Sequence, residues 1–168
     1  MTFTISSRRM IAGFATLLLL PLSDALAQQP DALPTVNIYG PSCHGMSLTT
    51  DELPDVTTAP FNFLLTGIPS GSVANAIFWN FAPTPGPISL AFVGAPACFV
   101  VVDQPILYAS NLTPVGTADT FTSGAPNFAI YNSPLWIGRA TYFQAASLIP
   151  WINPGSIATS NGVELVGG

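Results

Sequence analysis

The sequence predicts an all-β protein: an antiparallel β-sandwich of about eight strands, jelly-roll or immunoglobulin-like, behind a cleaved signal peptide. Three observations carry this expectation. Seventeen prolines and fourteen glycines punctuate the 168 residues, and short apolar runs recur between them at intervals of roughly 8–15 residues, the spacing of β-sandwiches. No window sustains a helical period of useful length. Near the C-terminal end, Ser160-Asn161-Gly162 separates two apolar runs. Asn-Gly in that setting signals a tight hairpin, because a type I′ turn needs positive φ at both central residues.

Residues 1–27 read as a targeting segment. Arg8 and Arg9 form a charged region, an apolar stretch covers 11–22, and Ala25-Leu26-Ala27 fits the small-x-small cleavage rule. The mature chain would begin at Gln28, exported to the periplasm or the medium. The apolar stretch is too short to span a bilayer. Ser7-Arg8-Arg9-Met10-Ile11 also has the form of a twin-arginine signal, although the four leucines at 17–20 make the stretch greasier than that route requires. Residues 28–35 form a loose polar lead-in, and 36–168 a single domain.

Within that domain the expected strands are 36–39, 46–50, 61–66, 74–81, 88–93, 97–102, 106–109 and 127–131, followed by a C-terminal unit. The run 97–102 is nearly continuous and apolar, as for a strand buried on both faces. Pro83-Thr84-Pro85-Gly86-Pro87 holds too many prolines for a ladder and reads as a stiff turn. Residues 111–124 read mostly as loop. In the C-terminal unit, 139–148 is expected to be an internal strand. Val163 and Leu165 alternate with Glu164, which should face water.

Composition bounds the function. Without residues 1–27 the chain keeps seven carboxylates (Asp31, Asp51, Glu52, Asp55, Asp103, Asp119, Glu164) against one cation, Arg139, a formal net charge of −6, and it has no lysine. Nucleic-acid binding needs clustered Lys and Arg and is excluded. So is an anionic membrane surface, and no membrane partner is expected once the signal is removed. Cys43 and Cys98, in an exported chain, are expected to pair in one disulfide.

No residue set points to catalysis. His44 is the sole histidine, next to a cysteine expected to be bridged, and no G-x-S-x-G elbow exists. Asp51, Glu52 and Asp55 are a calcium candidate, having hard oxygen ligands. Their D-E-x-x-D spacing matches no loop motif, and a solvated acidic loop also accounts for them. No metal or cofactor is otherwise implied. Asp103 and Asp119 read as turn residues. Trp136 and Trp151 flank prolines and are candidates for a stacking platform on which the apolar face of a sugar would lie, by analogy with lectin-like sandwiches; Trp79 reads as core. Gln144, in mid-strand among apolar residues, must hydrogen-bond to backbone if buried. Asn111-Leu112-Thr113 has the form of a glycosylation sequon but is followed by Pro114.

Four stretches, Ser42-Cys43-His44-Gly45, Ala97-Cys98-Phe99-Val100, Gly138 to Ala145 and Ser160-Asn161-Gly162-Val163, give the chain a likeness. It resembles a family of small exported β-sandwich domains of unknown function, as found in planctomycetes and myxobacteria. The chain differs in having Arg139 where an apolar residue is usual. The resemblance implies a fold and no catalytic residues. The expected function is therefore a structural or protein–protein or surface interaction module without catalytic activity, with a protein or cell-surface glycan partner or self-association. A carbohydrate- or small-ligand-binding module is the alternative, and an unrecognised hydrolase comes third.

Overall fold

Two strands near the end of the chain, β9 (Ala140–Leu148) and β10 (Ile157–Val166), form the centre of the molecule. Their residues explain why. Nothing from 140 to 148 is proline or glycine, and Thr141, Phe143, Ala145 and Ser147 alternate inward along β9, each wholly buried. The computed structural model describes residues 33–55, 60–112, 114, 116–122 and 134–168. Before the central pair come β1 (Thr35–Tyr39), β2 (Ser47–Thr50), β3 (Asn62–Thr66), β4 (Ala74–Asn80), β5 (Pro83–Leu90), β6 (Ala95–Val102), β7 (Ile106–Asn111) and β8 (Ala118–Thr122). The expected signal peptide, and the strand expected over 127–131, lie outside the described residues.

The fold is the predicted antiparallel all-β sandwich, with ten described strands rather than about eight. One five-stranded sheet has the order β1-β10-β9-β4-β7, a second has β2-β3-β8, and β5-β6 form a two-stranded ribbon. Phe143 and Gln144 are neighbours on β9 and so point to opposite faces of the large sheet. Phe143 packs on Phe63 of β3, ring centroids 4.6 Å apart, which seats the three-stranded sheet on that face. Gln144 bonds to β6, which lies over the other. The core between the first two layers is built from Leu48, Phe63, Leu65, Ile77, Phe143, Val163 and Leu165, all buried.

The Asn161-Gly162 hairpin does not exist. Residues 157–166 form one continuous strand, interrupted only by a register shift: Thr159 faces Ala146 and Gly162 faces Gln144. Ser160 and Asn161 together therefore oppose Ala145, the arrangement of a β-bulge. The hairpin signal fails because each of the three residues has a tertiary role. The Ser160 hydroxyl accepts the Ala145 N–H (2.9 Å), standing in for the displaced ladder carbonyl. The Asn161 amide accepts from the Leu48 N–H (3.0 Å) and donates to the Leu48 carbonyl (2.9 Å), pairing with β2 as a strand edge would. Gly162 is small because a Cβ there would run into the Tyr39 ring. The second half of the prediction holds: 139–148 is internal, between β10 and β4, and Val163 and Leu165 are buried.

Three further boundaries differ from expectation. The proline-rich 83–87 belongs to β5 rather than to a turn. Pro83 pairs with Val102 and pairing resumes only at Ile88 with Val100, so residues 84–87 loop out of the ladder and their missing N–H groups cost nothing there. The apolar run beyond it stops at Leu90, where 91–93 winds into a 3₁₀ turn closed by Gly94 at φ 84°. Strand β8, read as loop, pairs with β3 throughout. It was hidden because Phe121 is its one buried residue. On β6, Val101 and Val102 are buried but Phe99 and Val100 only half so, since the ribbon has an open side.

Cys43 and Cys98 form the expected disulfide, Cα atoms 5.0 Å apart. It ties the 40–46 turn to β6 across the bulge of β10. There the Cys43 N–H donates to the Thr159 carbonyl (2.9 Å) and the Thr159 hydroxyl accepts the Phe99 N–H (3.2 Å).

Candidate functional site

The connection between β9 and β10 contains Pro150-Trp151-Ile152-Asn153-Pro154-Gly155. Pro150 presets φ for the second position of a turn, and the Ile152 N–H closes it on the Ile149 carbonyl at 3.3 Å. The third position, Trp151, has φ 74°, where a type II turn normally holds Gly or Asn. A bulky side chain in this left-handed region costs about 1–2 kcal/mol. The indole gains no contact in exchange: Trp151 is 95% exposed.

The rest of the connection is tightly built. The Ser156 N–H donates to the Asn153 carbonyl (2.9 Å) and the Ile149 N–H to the Ser156 carbonyl (2.8 Å). The Asn153 side chain donates to the Ile157 carbonyl (2.7 Å) and accepts the Ile157 N–H (3.2 Å), again copying a strand edge. Against this connection lies the β5–β6 turn. A Cβ on Gly94 would sit 2.7 Å from the Cβ of Pro154, and one on Gly155 would press on the Val93 carbonyl. That second turn carries Phe92, 78% exposed. Val73, whose N–H donates to the Leu148 carbonyl (2.9 Å), and Leu148 itself are exposed at the same end, as is Val93.

Among the described residues, the two turns of this end, 91–94 and 150–156, carry no carboxylate and no arginine. Arg139 precedes β9 at the far end of the sheet. The loop of Asp51, Glu52 and Asp55 sits there too, tied by the Gly168 N–H to the Pro54 carbonyl. Asp103 is beside Asn80, whose amide donates to its carbonyl (2.6 Å), and Asn80 pairs with Tyr142. Glu164 accepts from the Tyr142 hydroxyl (2.7 Å) and the Asn37 amide (2.9 Å), not from water alone. Among the described carboxylates, Asp119 alone reaches the level of Ser147, and it is enclosed by donors from Asn75, Asn111 and the Thr120 N–H. The hydrogen bond to Glu164 pushes the Tyr142 phenol up to about 12. Burial raises Tyr39 and Tyr108 further.

Behind the tip, β6 and the outer face of the large sheet enclose a cavity of about 200 Å³ lined by Phe78, Leu90, Val100, Gln144, Ala146 and Ile157. It shares Phe78, Ala146 and Ile157 with a second hollow of about 220 Å³ over Ala74, Ala76 and Leu148. Small side chains on β4 and β9 leave this space. At its floor the buried Gln144 amide accepts the Val101 N–H (3.0 Å) and donates to the Phe99 and Ser160 carbonyls (2.8 and 2.9 Å). The expected backbone role of Gln144 is met, on β6 and on Ser160 of β10.

The paired tryptophan platform is not formed. Trp136 is buried and stacks on Phe81 at 5.5 Å and 13°. It precedes β9 while Trp151 follows it, which sets them roughly 30 Å apart along a nine-residue strand. Trp79 packs against the core as expected, stacked on Phe143. Nor do Asp51, Glu52 and Asp55 converge as calcium ligands. Asp51 instead ties the end of β2 to the start of β3, its oxygens accepting the Asn62 N–H and amide (both 2.7 Å), which holds its carboxyl below the usual range. Among the described residues, one group of three metal-ligating side chains falls within 4.8 Å, Cys43, His44 and Cys98, and both its sulfurs are bound in the disulfide. His44 is exposed, in a left-handed turn at φ 56°, with Nε2 3.5 Å from the Asn153 amide nitrogen. Arg139 is exposed.

Sequence reasoning missed Phe92 and Asn153. The signal for Phe92 was the following Gly94, which ends the strand run early. Compared with known proteins, the chain matches no family model, no curated protein and no solved structure.

Proposed function

We propose that this protein is an exported, non-catalytic interaction module, secreted or periplasmic, that touches its partner through the end that carries Trp151 and Phe92. Trp151 carries the reading. Folding ordinarily removes a large aromatic from water or leaves it on a flexible segment. Here a fully exposed indole is held in a left-handed turn by a bonded frame, so the strain is repaid only outside the chain. The disulfide and the absence, among the described residues, of a helix long and apolar enough to cross a membrane are consistent with this. The open sheet edges β1 and β7 carry no lysine and offer further contact surface.

The test is sedimentation with an envelope fraction of the producing cells. The chain should pellet with the envelope. Trp151→Gly and Phe92→Ser should release it, and Arg139→Ala should not. A wild-type chain that stays in the supernatant, or variants that pellet equally, would overturn the proposal.

A second reading rests on the apolar cavity beside Gln144: binding of a small apolar ligand, which fits its lining better than a carbohydrate would. Native mass spectrometry of exported protein would show a retained small mass, lost on filling the space with Ala146→Leu.

A further inference from the structure

We infer that Cys43, Cys98 and His44 form a binding site for Zn²⁺ in the chain whose Cys43–Cys98 bridge is open. This site stands whether or not the Trp151–Phe92 end meets a partner.

The open form is an obligatory one. Every copy of a disulfide-bonded chain passes through it before the bridge closes, and a dithiol restores it by exchange. In that exchange the dithiol gives up two electrons and two protons, its own sulfurs pair, and Cys43 and Cys98 become thiols. The cation then displaces both thiol protons, which pass to water.

A tight turn supplies the third ligand. The ligand atoms of Cys43, His44 and Cys98 all lie within 4.8 Å of one another, against roughly 3.5–4 Å between ligand atoms around one zinc. The Met46 N–H closes on the Cys43 carbonyl at 3.2 Å, with His44 at φ 56° and Gly45 at φ 77° between them. Two successive positive φ values belong to a type I′ turn, whose first central position ordinarily holds Gly, Asn or Asp. Here it holds the one histidine of the chain.

The frame around the sulfurs does not rest on the bridge alone. The Cys43 N–H donates to the Thr159 carbonyl (2.9 Å). The Thr159 hydroxyl accepts the N–H of Phe99, the neighbour of Cys98 (3.2 Å). Gln144 holds the Val101 N–H and the Phe99 carbonyl (3.0 and 2.8 Å). These bonds keep both cysteines in place when the S–S bond is open. The Thr159 N–H also points at Cys43 Sγ (3.0 Å), and a donor of that kind orients a metal-bound sulfur. The Asn153 amide nitrogen, 3.5 Å from His44 Nε2, positions the ring.

Both cysteines are buried and His44 is exposed. The ion therefore enters past the imidazole and comes to rest beside two thiolates. Thiolate and imidazole select zinc over hard cations such as calcium. Three protein ligands leave one position of the tetrahedral ion open.

Zinc titration of the purified chain against a chromophoric chelator tests this, with the bridge opened by a phosphine that is then removed without air. The reduced chain, its near-ultraviolet circular dichroism retained, should take up a single Zn²⁺ and release about two protons. The bridged chain should take up none. Co²⁺ in place of zinc should show the charge-transfer absorption of thiolate ligands. His44→Ala should weaken uptake by the reduced chain roughly tenfold or more, without lowering the melting temperature of the bridged chain. No uptake by the reduced chain, equal uptake by the bridged chain, an unchanged affinity in His44→Ala, or a reduced chain that loses its fold and binds all the same would each overturn the inference.

Discussion

The bulge of β10 and the turn before it break local rules in opposite directions. At the bulge, polar side chains are buried: Ser160 fully, Asn161 and Gln144 nearly so. At the turn, a large aromatic side chain, Trp151, is exposed. The bulge is fully compensated inside the chain, since its amides replace backbone partners that the kinked ladder and the flanking sheets would otherwise lack. The turn is not compensated at all. Deviations that the chain repays internally belong to its architecture, and the one it leaves unpaid directs attention outward.

The sharpest test of the compensated region is the disulfide. Replacing Cys43 and Cys98 with serine opens a loop of sequence separation 55 and should lower stability by about 4 kcal/mol in the chain-entropy picture, read from urea denaturation. A loss well below that would show that the bulge bonds, not the covalent link, hold β6 in place.

Next in size is Gln144→Met, close in shape and unable to bond. It strands the Val101 N–H and two carbonyls, for a cost of about 2–4 kcal/mol. Asn161→Leu should behave alike through Leu48. If either variant melts like the wild type, water has replaced the amide and the compensation argument fails.

Between these and the tip stands the Tyr142–Glu164 pair. The Tyr142 phenol titrates near 10 when unfolded and is raised to about 12 when folded. The folded chain therefore keeps a proton that the unfolded chain loses. The contribution is complete below pH 10 and disappears as pH climbs through 12. Tyr142→Phe should flatten the fall of the melting temperature above pH 10, in part only, because Tyr39 and Tyr108 are raised as well. An unchanged alkaline profile would refute the pair's role.

The smallest effect separates the two regions most cleanly. Trp151→Gly relieves a strain of about 1–2 kcal/mol and loosens the unfolded chain by about 0.5–1 kcal/mol. The net should be a gain of about 1 kcal/mol or less, seen as a melting temperature that does not fall. A clear drop would mean that the indole packs on its own chain in solution, and the contrast with Gln144 would vanish.

Much of the architecture was legible along the chain. The run 139–148, free of proline and glycine, marked the central strand, and Cys43 with Cys98 marked the staple. Gln144 could be assigned a backbone partner because a buried amide has no other economical state. The misreadings cluster where a local signal was overruled by a neighbour. Asn161-Gly162 has hairpin chemistry, but β2 claims the amide and Tyr39 claims the space over the glycine. Prolines at 83–87 forbid a ladder, yet the strand passes by leaving those residues unpaired. Trp136 and Trp151 look alike in sequence, each within two residues of a proline, and only packing tells them apart.

The sequence by itself determined the β class, the low and negative charge and the cystine, because each depends on residue type and on spacing that persists whatever the topology. Only the tertiary structure decided which faces meet. It took the pairing of β1 with β10 and of β4 with β9 to set Arg139 and the Asp51–Asp55 loop away from the turn of Trp151, and the contact of Gly94 with Pro154 to set Phe92 beside it. Those relations join residues about 60 to 130 positions apart in the chain, and no local period or propensity encodes a distance of that kind.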